Sequence, residues 1–136
     1  MEKSDILIVD DSKEVLASIK RELRNEPLNV FEATSGEDAL KLASERPFKV
    51  VISDVEMSKM DGFELLEKVH ELNPQTSRII LSGHSDVELI LNLTNKKGID
   101  RYLTKPWDPK DLILAIHLGI EVHDLRQEKR NRTDKA

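Results

Sequence analysis

Short apolar runs rich in β-branched residues recur along the chain at Ile6 to Val9, Val30 to Ala33, Val50 to Ile52, Ile79 to Leu81 and, more weakly, Tyr102 to Thr104. Runs of this length between polar residues read as buried strands. In the intervals, apolar positions return three and four residues apart: Val15, Leu16, Ile19 and Leu23; Ala39, Leu40 and Ala43; Phe63, Leu66 and Val69; Val87, Ile90, Leu91 and Thr94; Leu112, Ile113, Ile116 and Ile120. That spacing predicts five helices, each burying one face.

Capping signals mark where the helices begin. Asp11-Ser-Lys-Glu14, Ser35-Gly-Glu-Asp38, Asp61-Gly-Phe-Glu64 and Ser85-Asp-Val-Glu88 each set a cap residue three positions before an acid. Asp108-Pro109 opens the fifth helix, where the proline's missing donor costs nothing. Pro27, Pro47, Pro74 and Gly98 mark the stops. Strand and helix therefore alternate five times, which predicts a parallel sheet with helices on both faces and right-handed crossovers.

Composition narrows the class. With 136 residues the chain suits one domain, and zero cysteines exclude disulfides, thiol catalysis and cysteine-bound zinc. A net charge of −5 argues against nonspecific nucleic-acid binding and for a cytoplasmic protein. The longest apolar run, Leu112 to Ile116, is too short to span a membrane, and no signal-peptide pattern precedes Ile6. After Leu125 the apolar pattern ends and a basic segment, residues 126–136, follows. Residues 1–125 are the expected domain, and 126–136 a basic helix end or linker. A fraying, solvated end is favoured over the start of a coiled coil, although Leu118, Val122 and Leu125 extend a stripe.

In an open parallel sheet the functional crevice lies beyond the carboxyl ends of the strands. Those positions hold Asp10 and Asp11, Asp54, Ser82 and Lys105. Two carboxylates about 4 Å apart repel by roughly 4 kcal/mol at an effective dielectric near 20, so such a cluster requires a cation. Hard oxygen ligands suit Mg²⁺, which keeps waters and bridges to phosphate, while a lysine and a hydroxyl suit the remaining phosphoryl oxygens. Singly, most of these read better as bland features: Asp11 as a helix cap, Ser82 as a strand-end hydroxyl bonding local backbone, Lys105 as a surface lysine and Asp54 as a loop acid. Jointly on one edge, they predict a site for a divalent metal and a phosphoryl group.

The sequence also resembles the receiver (CheY-like) domains of two-component response regulators. The resemblance rests on Ile6-Leu-Ile-Val-Asp-Asp11, on Val51-Ile-Ser-Asp54 followed by Met57 and Met60-Asp-Gly62, on Leu81-Ser-Gly83 and on Tyr102-Leu-Thr-Lys-Pro106. It covers roughly residues 5–122 and implies a doubly wound (βα)5 flavodoxin-like three-layer sandwich with strand order 2-1-3-4-5. It further implies that Asp54 accepts the phosphoryl group and that Asp10, Asp11, Asp54 and the Glu56 backbone carbonyl ligate Mg²⁺ or Mn²⁺. Ser82 and Tyr102 become switch residues, Lys105 the lysine paired with the phosphoryl group, and Lys105-Pro106 a cis peptide. Expected partners are a sensor histidine kinase or phosphotransfer protein, and an effector domain or target protein met through the face of the fourth helix, fifth strand and fifth helix. A homodimer on phosphorylation is a further expectation; nucleic acid and membrane are not expected as direct partners. The chain is expected to catalyse only its own phosphotransfer and slow dephosphorylation.

Ser58 stands where the family most often has proline, and Glu56 occupies a variable position near the approach of attacking water. Two alternatives compete. A haloacid-dehalogenase-like small phosphatase shares the aspartyl nucleophile, and Asp54-Val-Glu56 echoes its paired acids; a receiver-like binding module would work without phosphorylation. His84 and Asp86 read as exposed loop residues, His123-Asp124 as surface, Trp107 as packing, and Phe31, Phe48 and Phe63 as core.

Overall fold

A computed structural model describes residues 2–83 and 87–135. Five strands, β1 (Ser4–Val9), β2 (Leu28–Ala33), β3 (Val50–Asp54), β4 (Ser77–Ser82) and β5 (Arg101–Thr104), alternate with α1 (Lys13–Leu23), α2 (Gly36–Glu45), α3 (Gly62–Leu72), α4 (Val87–Lys97) and α5 (Pro109–Lys135). All strand pairs are parallel and the order is β2-β1-β3-β4-β5. The fold is the doubly wound five-stranded sandwich that the alternation and the resemblance predict.

The central strands are apolar on both faces because helices cover both. Leu7, Val9, Val51 and Ile80 pack with Ala39 of α2, Phe63 and Leu66 of α3 and Ile90 of α4. Ile6, Ile8, Ile52 and Ile79, one step out of phase, pack with Leu16 and Ile19 of α1 and Leu112 and Ile116 of α5. Period-two alternation within a continuous apolar run thus feeds two separate cores. Phe48 and Phe63 are buried, and Phe31 meets Phe48 edge to face at 5.4 Å. Trp107 packs against the α1–α5 core and donates Nε1–H to Glu22 Oε2 at 2.7 Å.

Two expectations change. Asp11 is not the cap of α1: Ser12 takes the extended conformation and its Oγ accepts from Val15 N. Ser12 is held there because its own N–H donates to Asp10 Oδ1 at 2.9 Å, so Asp11 is left exposed and uncommitted to capping. Ser35, Asp61 and Asp108 do cap, accepting from Asp38, Glu64 and Lys110 N–H. The predicted fourth cap, Ser85, and the loop residues His84 and Asp86 lie outside the described residues. His123 is not simple surface either, since its side chain is only 13% exposed and its Nδ1 lies 2.9 Å from Asp124 Oδ1. Helix α5 continues through the basic segment to Lys135, where Gln, Glu, Lys and Arg favour helix and neither glycine nor proline intervenes.

Candidate functional site

Register brings the chemistry to one edge. Val9 lies opposite Ser53, Asp54 opposite Leu81, and Ser82 opposite Thr104, so β1, β3, β4 and β5 end together. Asp10 follows β1 and is 1% exposed; Asp54 ends β3 at 8%. One carboxylate oxygen from each of Asp10, Asp11 and Asp54 lies within 4.8 Å of the others. Ser82, also buried, ends the neighbouring β4. Lys105 directly follows β5, its N–H donates to the Ser82 carbonyl at 2.8 Å, and the next peptide bond, Lys105–Pro106, is cis.

The ammonium of Lys105 is the cation among these acids. Its Nζ lies 2.9 Å from Asp10 Oδ2 and 3.2 Å from Asp54 Oδ1. Burial works to lower the Lys105 pKa, but the bond to Asp10 and the charge of Asp54 outweigh it, holding the lysine above its ordinary range. For Asp54 burial is the largest influence and raises the pKa; Lys105 opposes it, Asp10 and Asp11 reinforce it, and the carboxyl stays raised. One ammonium against three carboxylates leaves a deficit of two positive charges in a largely buried cluster. A divalent cation with hard oxygen preference fits that deficit and the donor set.

Backbone geometry around Asp54 is built tightly. Ser53 Oγ donates to the Asp54 carbonyl at 2.9 Å, Val55 N to Leu81 O at 3.0 Å, and Gly62 N to Val55 O at 2.9 Å. A Cβ on Gly62 would fall 2.1 Å from the Asp54 carbonyl oxygen, so only glycine lets α3 start this close to the end of β3. Glu56 is exposed just beyond, and Met57 and Met60 pack against the α2–α4 core. Tyr102 is half-buried against the same core, paired in register with Ile80, two residues before Ser82.

Residues 6–117 match the response regulator receiver domain. The chain belongs to that family. This receiver domain is 32% identical over 124 residues to the hydrogenase transcriptional regulatory protein HoxA of Cupriavidus necator, covering 91% of this chain and 26% of that one. It spans about a quarter of the length of the curated relatives it matches. Among solved structures it resembles the signal receiver domain of an HD domain-containing protein from Pseudomonas fluorescens Pf-5, with a TM-score of 0.87, 34% identity and 94% of each chain covered. A response regulator receiver domain protein (CheY-like) from Methanospirillum hungatei JF-1 superposes with a TM-score of 0.84 at 30% identity, covering 92% of this chain and 99% of that one. The receiver domain is a two-component signalling module, for which a phosphorylation-based switch is the expected function. The dehalogenase-like alternative is not favoured, and Glu56, on which it leaned, is not among the acids that gather with Asp54. Among the described residues, no helix is long and apolar enough to cross a membrane.

Three residues outside any motif also draw attention. Arg78 is 5% exposed inside β4, and its side chain and backbone engage Gly98 and Asp100, while Arg126 of α5 pairs with Asp100. The one local signal for this group was an arginine directly before the apolar run Ile79 to Leu81, on a segment that reads as a buried strand.

Proposed function

We propose that Asp54 takes the phosphoryl group from a phosphohistidine of a sensor histidine kinase or phosphotransfer protein. A carboxylate oxygen of Asp54 bonds to phosphorus in line with the departing imidazole nitrogen, and the P–N bond breaks. Lys105, already bonded to both Asp10 and Asp54, supports this reading most directly: its ammonium stands where an added phosphoryl oxygen on Asp54 would need a counter-charge. Asp10, Asp11, Asp54 and the Glu56 backbone carbonyl would hold Mg²⁺ or Mn²⁺, which supplies the remaining neutralisation when bound.

The acyl phosphate adds close to two negative charges at the sheet edge. Ser82 Oγ turns toward it, and Tyr102 follows into the space released, reshaping the α4–β5–α5 face on which an effector domain, target protein or second copy docks. Moving such an equilibrium from 1:99 to 99:1 takes about 5.5 kcal/mol of differential interaction, within reach of several charge-assisted hydrogen bonds. Residues 1–125 form the switch and 126–136 a basic helix end or linker. The chain acts in the cytoplasm and turns over no substrate beyond its own phosphorylation and slow dephosphorylation.

Incubating wild type and Asp54→Asn with a small-molecule phosphodonor and Mg²⁺ tests this. Stoichiometric labelling of wild type and none of the variant is expected; labelling of Asp54→Asn at the wild-type level rejects Asp54 as acceptor.

A further inference from the structure

We infer that Asp100 is a joint coupling the seat of α4 to the direction in which α5 leaves the domain. Helix α5 has 27 residues against 10 or 11 for the other four. At 1.5 Å per residue it runs roughly 40 Å, more than twice a five-residue strand. It starts at the phosphorylation edge and is gripped again at the opposite edge, where the strands begin.

Three polar contacts make that grip. Ser77 Oγ, at the start of β4, donates to the Gly119 carbonyl. Lys49, just before β3, pairs with Asp124 at 2.9 Å. Arg126 reaches Asp100, just before β5, with both terminal nitrogens, and donates to the Thr76 carbonyl at 3.3 Å. Two parallel N–H···O bonds fix orientation as well as distance. Beyond Arg126 the helix is exposed at most positions, so these contacts set where its end points.

Asp100 is shared with α4. Its Oδ2 also accepts from Arg78 N at 2.8 Å, and the Arg78 guanidinium donates to the Gly98 carbonyl at 2.6 Å and, at longer range, to Lys97 O at 3.5 Å. Arg78 thereby satisfies carbonyls that the end of α4 leaves open. This seat is imperfect: among the described residues, Arg78 Nε and Thr94 Oγ1 are buried without a hydrogen-bond partner. A displacement of α4 pulls on Arg78 and Asp100, and through Arg126 re-aims α5. The link to phosphorylation rests on the function proposed above; the joint itself does not.

The chain has no cysteine, so Glu45→Cys and Asn131→Cys place one spin label on α2 and one near the end of α5. In that background Arg126→Gln and Asp100→Asn are compared by label–label distance and by amide exchange at Gly98 and Ile99, without phosphodonor. Arg126 is 36% exposed at its side chain, so its variant keeps the fold. Both variants are expected to broaden the distance distribution and to speed exchange at Gly98 and Ile99 at least threefold. An unchanged distribution, or broadening with unchanged exchange at those amides, overturns the joint. With phosphodonor, the parent labelled pair is expected to shift its distribution. Phosphate on Asp54 without that shift overturns transmission through the joint, whereas no phosphate on Asp54 counts against the proposed function, and the unphosphorylated variants still decide the joint.

Discussion

Lys105 Nζ, carried in from the end of β5, sits 3.2 Å from Asp54 Oδ1 at the end of β3, reaching across the intervening strand. Burial nevertheless keeps the Asp54 carboxyl above its ordinary value, with Asp10 adding to burial and Lys105 opposing it. An acid raised in the folded state opposes folding once ionised. The penalty is absent below the unfolded pKa, grows as pH rises toward the folded pKa, and is complete above it. In EDTA, Asp54→Asn should therefore melt higher than wild type at neutral pH, with the difference closing as pH falls below the ordinary carboxylate range. Thermal melts across that span check this; a variant that melts lower at neutral pH would show that the Lys105 pairing outweighs burial.

Asp11 is exposed and caps nothing, so its carboxylate can be removed with little cost to the fold. A ligand at ten times its Kd stabilises by about 1.4 kcal/mol, or roughly 5 °C for a domain of this size. Wild type should gain about that much in saturating Mg²⁺, and Asp11→Ala less than about 1 °C at the same concentration. Equal shifts in the two proteins would take Asp11 out of the metal set.

What the sequence disclosed and what it hid divide along physical lines. β3 and β4 were legible because burial on both faces makes Val50 to Ile52 and Ile79 to Leu81 continuous apolar runs. The acid, hydroxyl and lysine positions followed from one rule about strand ends, which depends on topology and not on side-chain detail. The start of α1 did not: Asp11 and Ser12 are both good caps, and the choice is made by the Asp10 carboxylate holding the Ser12 N–H. For residues past Leu125 the sequence left helix end or linker open, because an apolar stripe reports burial, whereas a helix continues wherever its residues tolerate one, here to Lys135. Asp100 meets Arg78 and Arg126 across 22 and 26 residues, a separation that leaves no local spacing to read.

Gly62 and Gly36 offer a controlled comparison. A Cβ on Gly62 would lie 2.1 Å from the Asp54 carbonyl oxygen, a backbone atom fixed within the sheet, while one on Gly36 would meet Met60 Sδ at 2.6 Å. Methionine can re-rotamerise and the sheet backbone cannot. Gly62→Ala should cost about 1–3 kcal/mol, and Gly36→Ala less than half as much, in urea unfolding midpoints. Gly62→Ala should also slow phosphorylation, because relieving the clash displaces the segment that carries Asp54. Equal costs for the two variants would mean that the start of α3 yields more easily than its bonding to Val55 implies.

Glu56 is exposed two residues beyond Asp54, at the position that the family resemblance puts near the approach of attacking water. A carboxylate there can accept a hydrogen bond from that water and orient it for attack, which an amide does less well. Glu56→Asn should therefore lengthen the lifetime of the phosphorylated domain several-fold. The concentration of Mg²⁺ needed for phosphorylation should stay the same, because the metal ligand expected from this position is the backbone carbonyl, which both residues possess. Decay of the isolated phosphoprotein and a Mg²⁺ titration read the two effects separately. Equal decay rates would remove the side chain from hydrolysis, and a shifted Mg²⁺ requirement with equal decay would place the carboxylate on the metal instead.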